Sequence, residues 1–272
     1  MSLYDKSFSV ILPTLNEGEN LKTLIPQIFH EFEEFPNNKF EILVVDDNST
    51  DNTSEIIQSL KKRHANLNIL VRKNSKSLPL SILDGIKNAK NDYVVWLDAD
   101  GSMDAPTLKK MVLKLSKKES AVIASRFVEG GGYKGKDENE KVSFVRTIIN
   151  VKNSKDSVLG MILSIWFNKL LSIIFKTNVK DLTSGFIITH KENIEESVFM
   201  DSSYGEYFIF LVQNLLDKNI EIVEIGYIMG TRKYGESKTA NSFIQLISRG
   251  IPYIKAVIKC RYFNNENKRR RR

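Results

Sequence analysis

Asp92-Tyr-Val-Val-Trp-Leu-Asp-Ala-Asp-Gly-Ser102 is the stretch on which the fold turns. Tyr93 to Leu97 is short, aromatic and β-branched, which predicts a buried strand. It runs directly into Asp98 and Asp100. If extended geometry persists through Asp100, these two side chains project to one side. Such a pair can share a hard cation, Mg²⁺ or Mn²⁺, which takes oxygen ligands and keeps substrate phosphates in its shell. The bland alternative is an acidic strand end that caps the next helix.

Outward from this stretch, short β-branched runs alternate with amphipathic ones. Toward the N-terminus, strands are predicted at Phe8–Leu12, Phe40–Val45 and Leu67–Arg72, with helices at Asn20–Phe32, Ser54–His64 and Leu80–Ala89. Beyond it come a helix at Pro106–Ser116 and a strand at Ala121–Ser125. This order implies a doubly wound, mainly parallel sheet with right-handed crossovers, whose ligands bind beyond the carboxyl ends of the strands. Three predicted strands end in acids at that edge: Pro13-Thr-Leu-Asn-Glu17, Asp46-Asp47 and Asp98-Ala-Asp100. Their convergence on one crevice says more than any single motif. Glu17 and Asp47 there can accept hydrogen bonds from a nucleotide, while Asx, Ser and Thr residues from Asp46 to Asp51 also suit turns and caps.

After Arg126 the pattern changes. Glu129–Lys141 reads as a mobile loop, Tyr207–Leu216 as a helix and Ile220–Ile228 as a strand. The apolar run Val158–Phe175 contains Asn168 and Lys169, so it suits an interfacial helix, or a core helix packed on the sheet, better than a membrane span. Arg249, Gly250, Pro252 and Lys255 interrupt the apolar run Phe243–Ile258. No transmembrane helix and no signal peptide are expected.

Among 272 residues Cys260 is the single cysteine, which excludes an internal disulfide and any multi-cysteine metal site. His30, His64 and His190 lack metal-ligand spacing and read as surface or packing residues. The formal charge is +7, and from Lys259 onward seven basic residues face Glu266 alone. Such a tail attracts anionic lipid, by about 1 kcal/mol per basic residue near the surface. A plain solvated tail and a nucleic-acid arm are the rival readings; the latter leaves the acidic crevice unexplained, so no nucleic-acid partner is expected.

Six segments together resemble a known family: Pro13–Asn20, Val45–Asp51, Asp98–Ser102, Ser125–Phe127, Asp181-Leu-Thr-Ser-Gly-Phe186 and Arg232-Lys-Tyr-Gly-Glu-Ser-Lys238. Their order is that of the dolichol-phosphate mannose synthases among the family 2 glycosyltransferases, over about Phe8 to Lys238. The resemblance implies a nucleotide-diphospho-sugar transferase (GT-A) fold, with a catalytic domain over 1–239, an interfacial insert near 142–178, and an amphipathic segment with basic tail over 240–272. It places Pro13, Leu15, Glu17, Val45 and Asp47 around the nucleotide. Asp98, Ala99 and Asp100 would lie at the diphosphate and its metal. Ser102 falls where relatives supply a Gln or Ser ligand. Arg126 matches a phosphate-receiving position, Arg232 and Lys238 a loop over the donor phosphates, and Asp181 a base or, preferably, a structural or sugar-orienting residue.

The implied reaction is inverting transfer from a nucleotide-sugar, GDP-mannose first, to a polyprenyl phosphate on the cytoplasmic face of a membrane, with Mg²⁺ or Mn²⁺. Alternatives are a UDP-glucose-type donor with undecaprenyl phosphate, and a glycan hydroxyl acceptor. A protein partner or membrane subunit is compatible with this. Three departures stand out. Lys76-Ser-Leu-Pro-Leu80 lacks the family's glycines, the interval from Arg126 to Asp181 is long, and only Arg146 offers itself as a second acceptor-phosphate arginine.

Overall fold

The structure is a computed structural model that describes residues 6–35, 39–133, 158–230 and 251–260. Arg146, Arg232, Lys238 and the Arg-rich tail lie outside the described residues.

The N-terminal half alternates as read: β1 (Phe8–Thr14), α1 (Gly18–Glu31), β2 (Phe40–Asp46), α2 (Thr53–Lys61), β3 (Leu67–Val71), α3 (Leu78–Asn88), β4 (Tyr93–Trp96), α4 (Ala105–Lys114) and β5 (Ser120–Ser125). β1, β2 and β4 are buried along their whole length, as continuous apolar strands are when helices cover both faces of a parallel sheet. The two-residue strand period divides their side chains between two apolar layers. Leu12, Val44 and Val95 pack in one layer. Ile11, Val45 and Trp96 pack in the other. Leu21, Leu24, Ile25 and Ile28 supply the buried stripe of α1. α3 crosses β1 so closely that a Cβ on Gly85 would lie 2.4 Å from Ile11 Cγ2.

With β7 (Ile187–His190) and β8 (Glu221–Gly226), the seven-stranded sheet has the order β3-β2-β1-β4-β7-β5-β8. β1 to β4 pair in parallel. The chain adds β2 and β3 on one side of β1 and returns to place β4 on the other. The switch point therefore lies between β1 and β4, where ligands of such sheets bind.

Three features differ from the sequence expectation. β7 (Ile187–His190), absent from that reading, is antiparallel to both β4 and β5, with Ile187 paired to Trp96 and Ile123. Only four residues long, it is too short to show an alternation of its own. Being antiparallel, its entry lies at the same edge as the end of β4. Next, the predicted strand Ile220–Ile228 divides. β8 (Glu221–Gly226) pairs with β5, and β9 (Ile228–Met229) pairs with β6 (Gly132–Tyr133) in a second sheet. The chain changes sheets at Gly226, where a Cβ would lie 2.2 Å from Glu129 O. Finally, within the loop predicted from Glu129, β6 is a formed strand.

α5 (Val158–Phe175) is one continuous helix. It shows both faces weighed from sequence: Asn168 and Leu171 are buried, while Leu163, Trp166, Leu170 and Ile173 are exposed. After α6 (Ser197–Met200) and α7 (Tyr207–Asp217), a last helix, α8 (251–260), buries Ala256 and Cys260. Its Tyr253 ring lies 6.0 Å from Phe167 of α5. Among the described residues no helix is long and apolar enough to cross a membrane.

Candidate active site

The exits of β1, β2 and β4 open on a cavity of about 380 Å³. Pro13, Leu15, Glu17, Asp47, Asp98 and Asp100 line it, with Ala99 between the two acids. Val45 does not; it is fully buried beneath α3 in an apolar layer.

The two acidic loops at the β1–β2 side are clipped together. Asn16 adopts φ 58°, in the left-handed region that Asn tolerates better than most residues. Its side-chain oxygen accepts from Thr50 N at 2.8 Å, and its own N–H donates to Ser49 Oγ at 2.9 Å. Asp46 and Asp51 do the turn and capping work: Asp46 accepts from Ser49 N, and Asp51 from Thr53 N and Gly18 N. Asp47 is thereby left to the cavity. Its N–H donates to Thr14 O at 2.8 Å. Its carboxylate accepts from Ser77 N at 2.6 Å and from Arg72 Nη1. Glu17 accepts from Asn20 Nδ2 at 2.7 Å.

Arg72, at the exit of β3, was not identified from sequence. Its side chain is 3% exposed and also donates from Nε to Asp84 Oδ2 at 2.7 Å and from Nη1 to Ser81 Oγ at 3.1 Å. A cation directly after a third strand, at an edge that collects carboxylates, was the available signal. The same corner accounts for the missing glycines. Ser77 caps α3, accepting from Leu80 N, and Pro79 sits in the first turn, where its missing N–H costs nothing. The Ser77 amide reaches Asp47 from an extended backbone, φ −162°, so no positive φ is needed there.

At the end of β4, Asp100 accepts from Ser102 N at 2.9 Å, across a turn in which Gly101 has φ 77°. Among the described residues, no atom beyond its chain neighbours lies within 4 Å of a Gly101 Cβ, so glycine serves the dihedral here and not the space. Asp104, and not Asp98 or Asp100, caps α4, through Thr107 N at 2.7 Å. Ser102 is buried, and among the described residues its hydroxyl has no hydrogen-bond partner. An unmet buried hydroxyl costs about 1–3 kcal/mol, which an oxygen-rich ligand at this turn would relieve. Among the described residues no three His, Cys, Asp or Glu side chains are placed so that they could hold a metal ion by themselves. A cation held here therefore needs donor phosphate oxygens or water to complete its shell, and the carboxylate pair with Ser102 fits that kind of site.

Arg126 and Asp181 meet farther along the same edge, where β5 ends and β7 begins. Arg126 Nε and Nη2 donate to the two Asp181 oxygens at 2.9 and 2.8 Å. Arg126 N also donates to Asp181, and Nη2 to Thr183 Oγ1. Their side chains are 10% and 0% exposed. Burial is the largest single influence and opposes the guanidinium charge, but Asp181 together with Tyr133 and Tyr227 raises the Arg126 pKa well above its ordinary value. Glu224 of β8 holds the loop from outside, accepting from Lys180 N and Asp181 N. Asn168 of α5 holds it from within, accepting from Leu182 N and donating to Thr183 Oγ1, both at 2.8 Å.

The histidines stand apart from the cavity. His30 is exposed, His64 stacks on Phe29 with ring centroids 3.9 Å apart, and His190 meets Tyr93 edge-on. Lys76 and Ser77, from the segment without the family's glycines, also line the cavity, as do Ser203, Tyr204 and Met229, which were not singled out from sequence.

Among relatives of known name, the chain is 30% identical over 230 residues to the dolichol-phosphate mannosyltransferase of Pyrococcus furiosus, a match covering 85% of this chain and 58% of that protein. The chain thus spans little more than half the length of that relative. Against the dolichol-phosphate mannosyltransferase of Saccharomyces cerevisiae it is 27% identical over 87% of this chain and 82% of the relative. Among solved structures, glucosyl-3-phosphoglycerate synthase from Mycobacterium tuberculosis, in complex with Mn²⁺, UDP and glucosyl-3-phosphoglycerate, superposes with a TM-score of 0.62 at 14% identity. That match covers 95% of this chain and 82% of the other, and it shows a shared GT-A fold. The model of glycosyl transferase family 2 matches residues 9–198, well over half of the chain, and the chain belongs to that family.

Proposed function

We propose that this chain transfers a hexosyl group, with inversion, from a nucleoside-diphosphate sugar to a polyprenyl phosphate at a membrane surface, mannose from GDP-mannose being the leading donor. The observation that carries the reading is one cavity at the β1/β4 switch point lined by Glu17, Asp47, Asp98 and Asp100. Glu17 and Asp47 suit the N–H and O–H donors of a nucleoside. Asp98 and Asp100, with Ser102, would hold Mg²⁺ or Mn²⁺ beside the diphosphate. When bound, the cation supplies Lewis-acid stabilisation of the departing diphosphate charge, a contribution of several kcal/mol. Arg232 and Lys238 are assigned to the same phosphates.

A lipid monophosphate needs no general base, because its second pKa near 6 leaves it mostly dianionic at neutral pH. What it needs is a cation beside the donor diphosphate. We assign this to Arg126, with Nη1 for an acceptor oxygen while Nε and Nη2 remain on Asp181. Asp181 then acts as a positioning residue: it is fully buried and grips Arg126 with both oxygens.

The membrane setting rests on the exposed face of α5 and on Ile251, Ile254 and Ile258 of α8. Phe167 and Tyr253 join the two helices. Lys169 sits 5.4 Å from the Trp166 ring, and the basic tail follows α8 directly. An apolar face beside cations suits an anionic lipid surface.

The test is incubation with Mn²⁺, polyprenyl phosphate and labelled GDP-mannose or UDP-glucose. Label in the organic phase from GDP-mannose, lost in Asp100→Ala, is the expected result. Label from UDP-glucose alone moves the donor assignment, and label from neither, with nucleotide still bound, removes the lipid acceptor.

A further inference from the structure

The carboxylate edge accounts for a nucleoside and a diphosphate but for no contact with the hexose. Ser203 and Tyr204 enter the same cavity from a different quarter, the segment between α6 and α7. We infer that the Ser203–Glu206 loop is the hexose-facing wall of this cavity, with Tyr204 meeting the sugar ring and Glu206 positioning it. This rests on the nucleotide-sugar reading above and deepens it.

Topology fixes where the loop stands. Tyr207, in the first turn of α7, accepts through its hydroxyl from Trp96 Nε1 at 3.0 Å, which pins the helix start over the end of β4. Asp98, two residues beyond Trp96, lines the same cavity as Tyr204, three residues before Tyr207. Asp47 leaves β2, two strands away across β1. A donor with its nucleoside at Asp47 and its diphosphate at Asp98 and Asp100 therefore brings its hexose to the Ser203–Tyr204 side.

The loop is held from two directions. Glu206 is buried, and its carboxylate turns inward: one oxygen accepts from Ser203 N at 2.6 Å and Ser203 Oγ at 2.7 Å, the other from Tyr204 N at 2.9 Å. From outside, Tyr253 of α8 closes on Gly205, where a Cβ would lie 2.1 Å from the tyrosine hydroxyl. Tyr204 itself is 44% exposed while lining the cavity. A tyrosine so placed offers an apolar face to the sugar C–H groups and a hydroxyl to one sugar oxygen, a combination that carboxylates and a cation lack.

The experiment compares calorimetric affinities for GDP and GDP-mannose, and for UDP and UDP-glucose, with Mn²⁺ present, in wild type, Tyr204→Ala, Tyr204→Phe and Glu206→Gln, each checked by thermal melting. The hexose increment is the ratio of nucleotide-sugar affinity to nucleotide affinity. Tyr204→Ala should reduce it about fivefold, with nucleotide affinity unchanged, and Tyr204→Phe should keep most of it. Glu206→Gln should reduce the increment and raise donor KM more than it lowers kcat. Equal losses for nucleotide and nucleotide-sugar in Tyr204→Ala, or no change in either, overturn the inference even if Glu206→Gln proves too unstable to use. A wild-type protein that binds none of the four compounds overturns the proposed function instead.

Discussion

The carboxylate edge and the α5–α8 face treat their side chains in opposite ways. At the edge, Asp181 is fully buried and Asp47 nearly so, each gripped by an arginine and a backbone N–H. On the helix face, Trp166 is 63% and Ile173 66% exposed. Ordinary globular packing would hide the second set and expose the first. Buried charge is tolerated where it is fully hydrogen-bonded, and such groups are held in place before a ligand arrives. Exposed apolar side chains grouped on one face, beside cations, mark a surface awaiting a partner. The contrast is the one expected if the proposed function holds, with a nucleotide-sugar at the polar region and a lipid surface at the apolar one.

The strongest way to break this comparison is at the turn after β4. Asp100→Ala, or removal of divalent cations from the wild type, should lower transfer by about a thousandfold with the fold intact, read as label entering the organic phase. Full activity in the variant would show that the pair is structural only. Next in size is Asp181→Asn. Leaving Arg126 buried with a neutral partner should cost about 3–5 kcal/mol in denaturant unfolding, as expected for a broken buried pair. A change below 1 kcal/mol would mean that the site relaxes and the buried charge is not held as described.

Arg72→Met tests whether charge at the edge is organised for nucleotide. Asp47 keeps Ser77 N but loses its arginine, and nucleotide affinity should fall about tenfold by calorimetry. Unchanged affinity would confine Arg72 to stabilising the β3 exit. On the apolar side, Trp166→Ser with Ile173→Ser should reduce partition onto anionic vesicles about tenfold, with the melting temperature unchanged or higher. If the double variant melts lower and partitions equally, the face belongs to the fold and not to a membrane. The smallest effect concerns Cys260. Burial pushes its thiol up to about 12, so a thiol reagent should label it only slowly at neutral pH until the protein unfolds.

Legibility in the sequence followed distance along the chain. β1 to β5 and the three acidic strand ends were readable because each is contiguous, with a period of its own. Asp98 and Asp100 could be placed at an edge because strand direction follows from the alternation of elements. β7 was not readable: four residues carry too little pattern, and its antiparallel place depends on partners 64 and 91 positions back, Ile123 and Trp96. Arg72 read as one more charged residue, because its roles toward Asp47 and Asp84 come from separate segments.

The sequence by itself therefore determined the family, the strand–helix alternation and which residue types meet at the carboxyl edge. The tertiary structure alone decided which acid does which work. Asp46, Asp51 and Asp104 went to turns and caps, Asp47, Asp98 and Asp100 to the cavity, and Asp181 to holding an arginine. The physical reason is that a carboxylate is chemically the same in all these places. Its role is set by which donors the fold brings within about 3 Å, and those donors come from segments far apart in the chain.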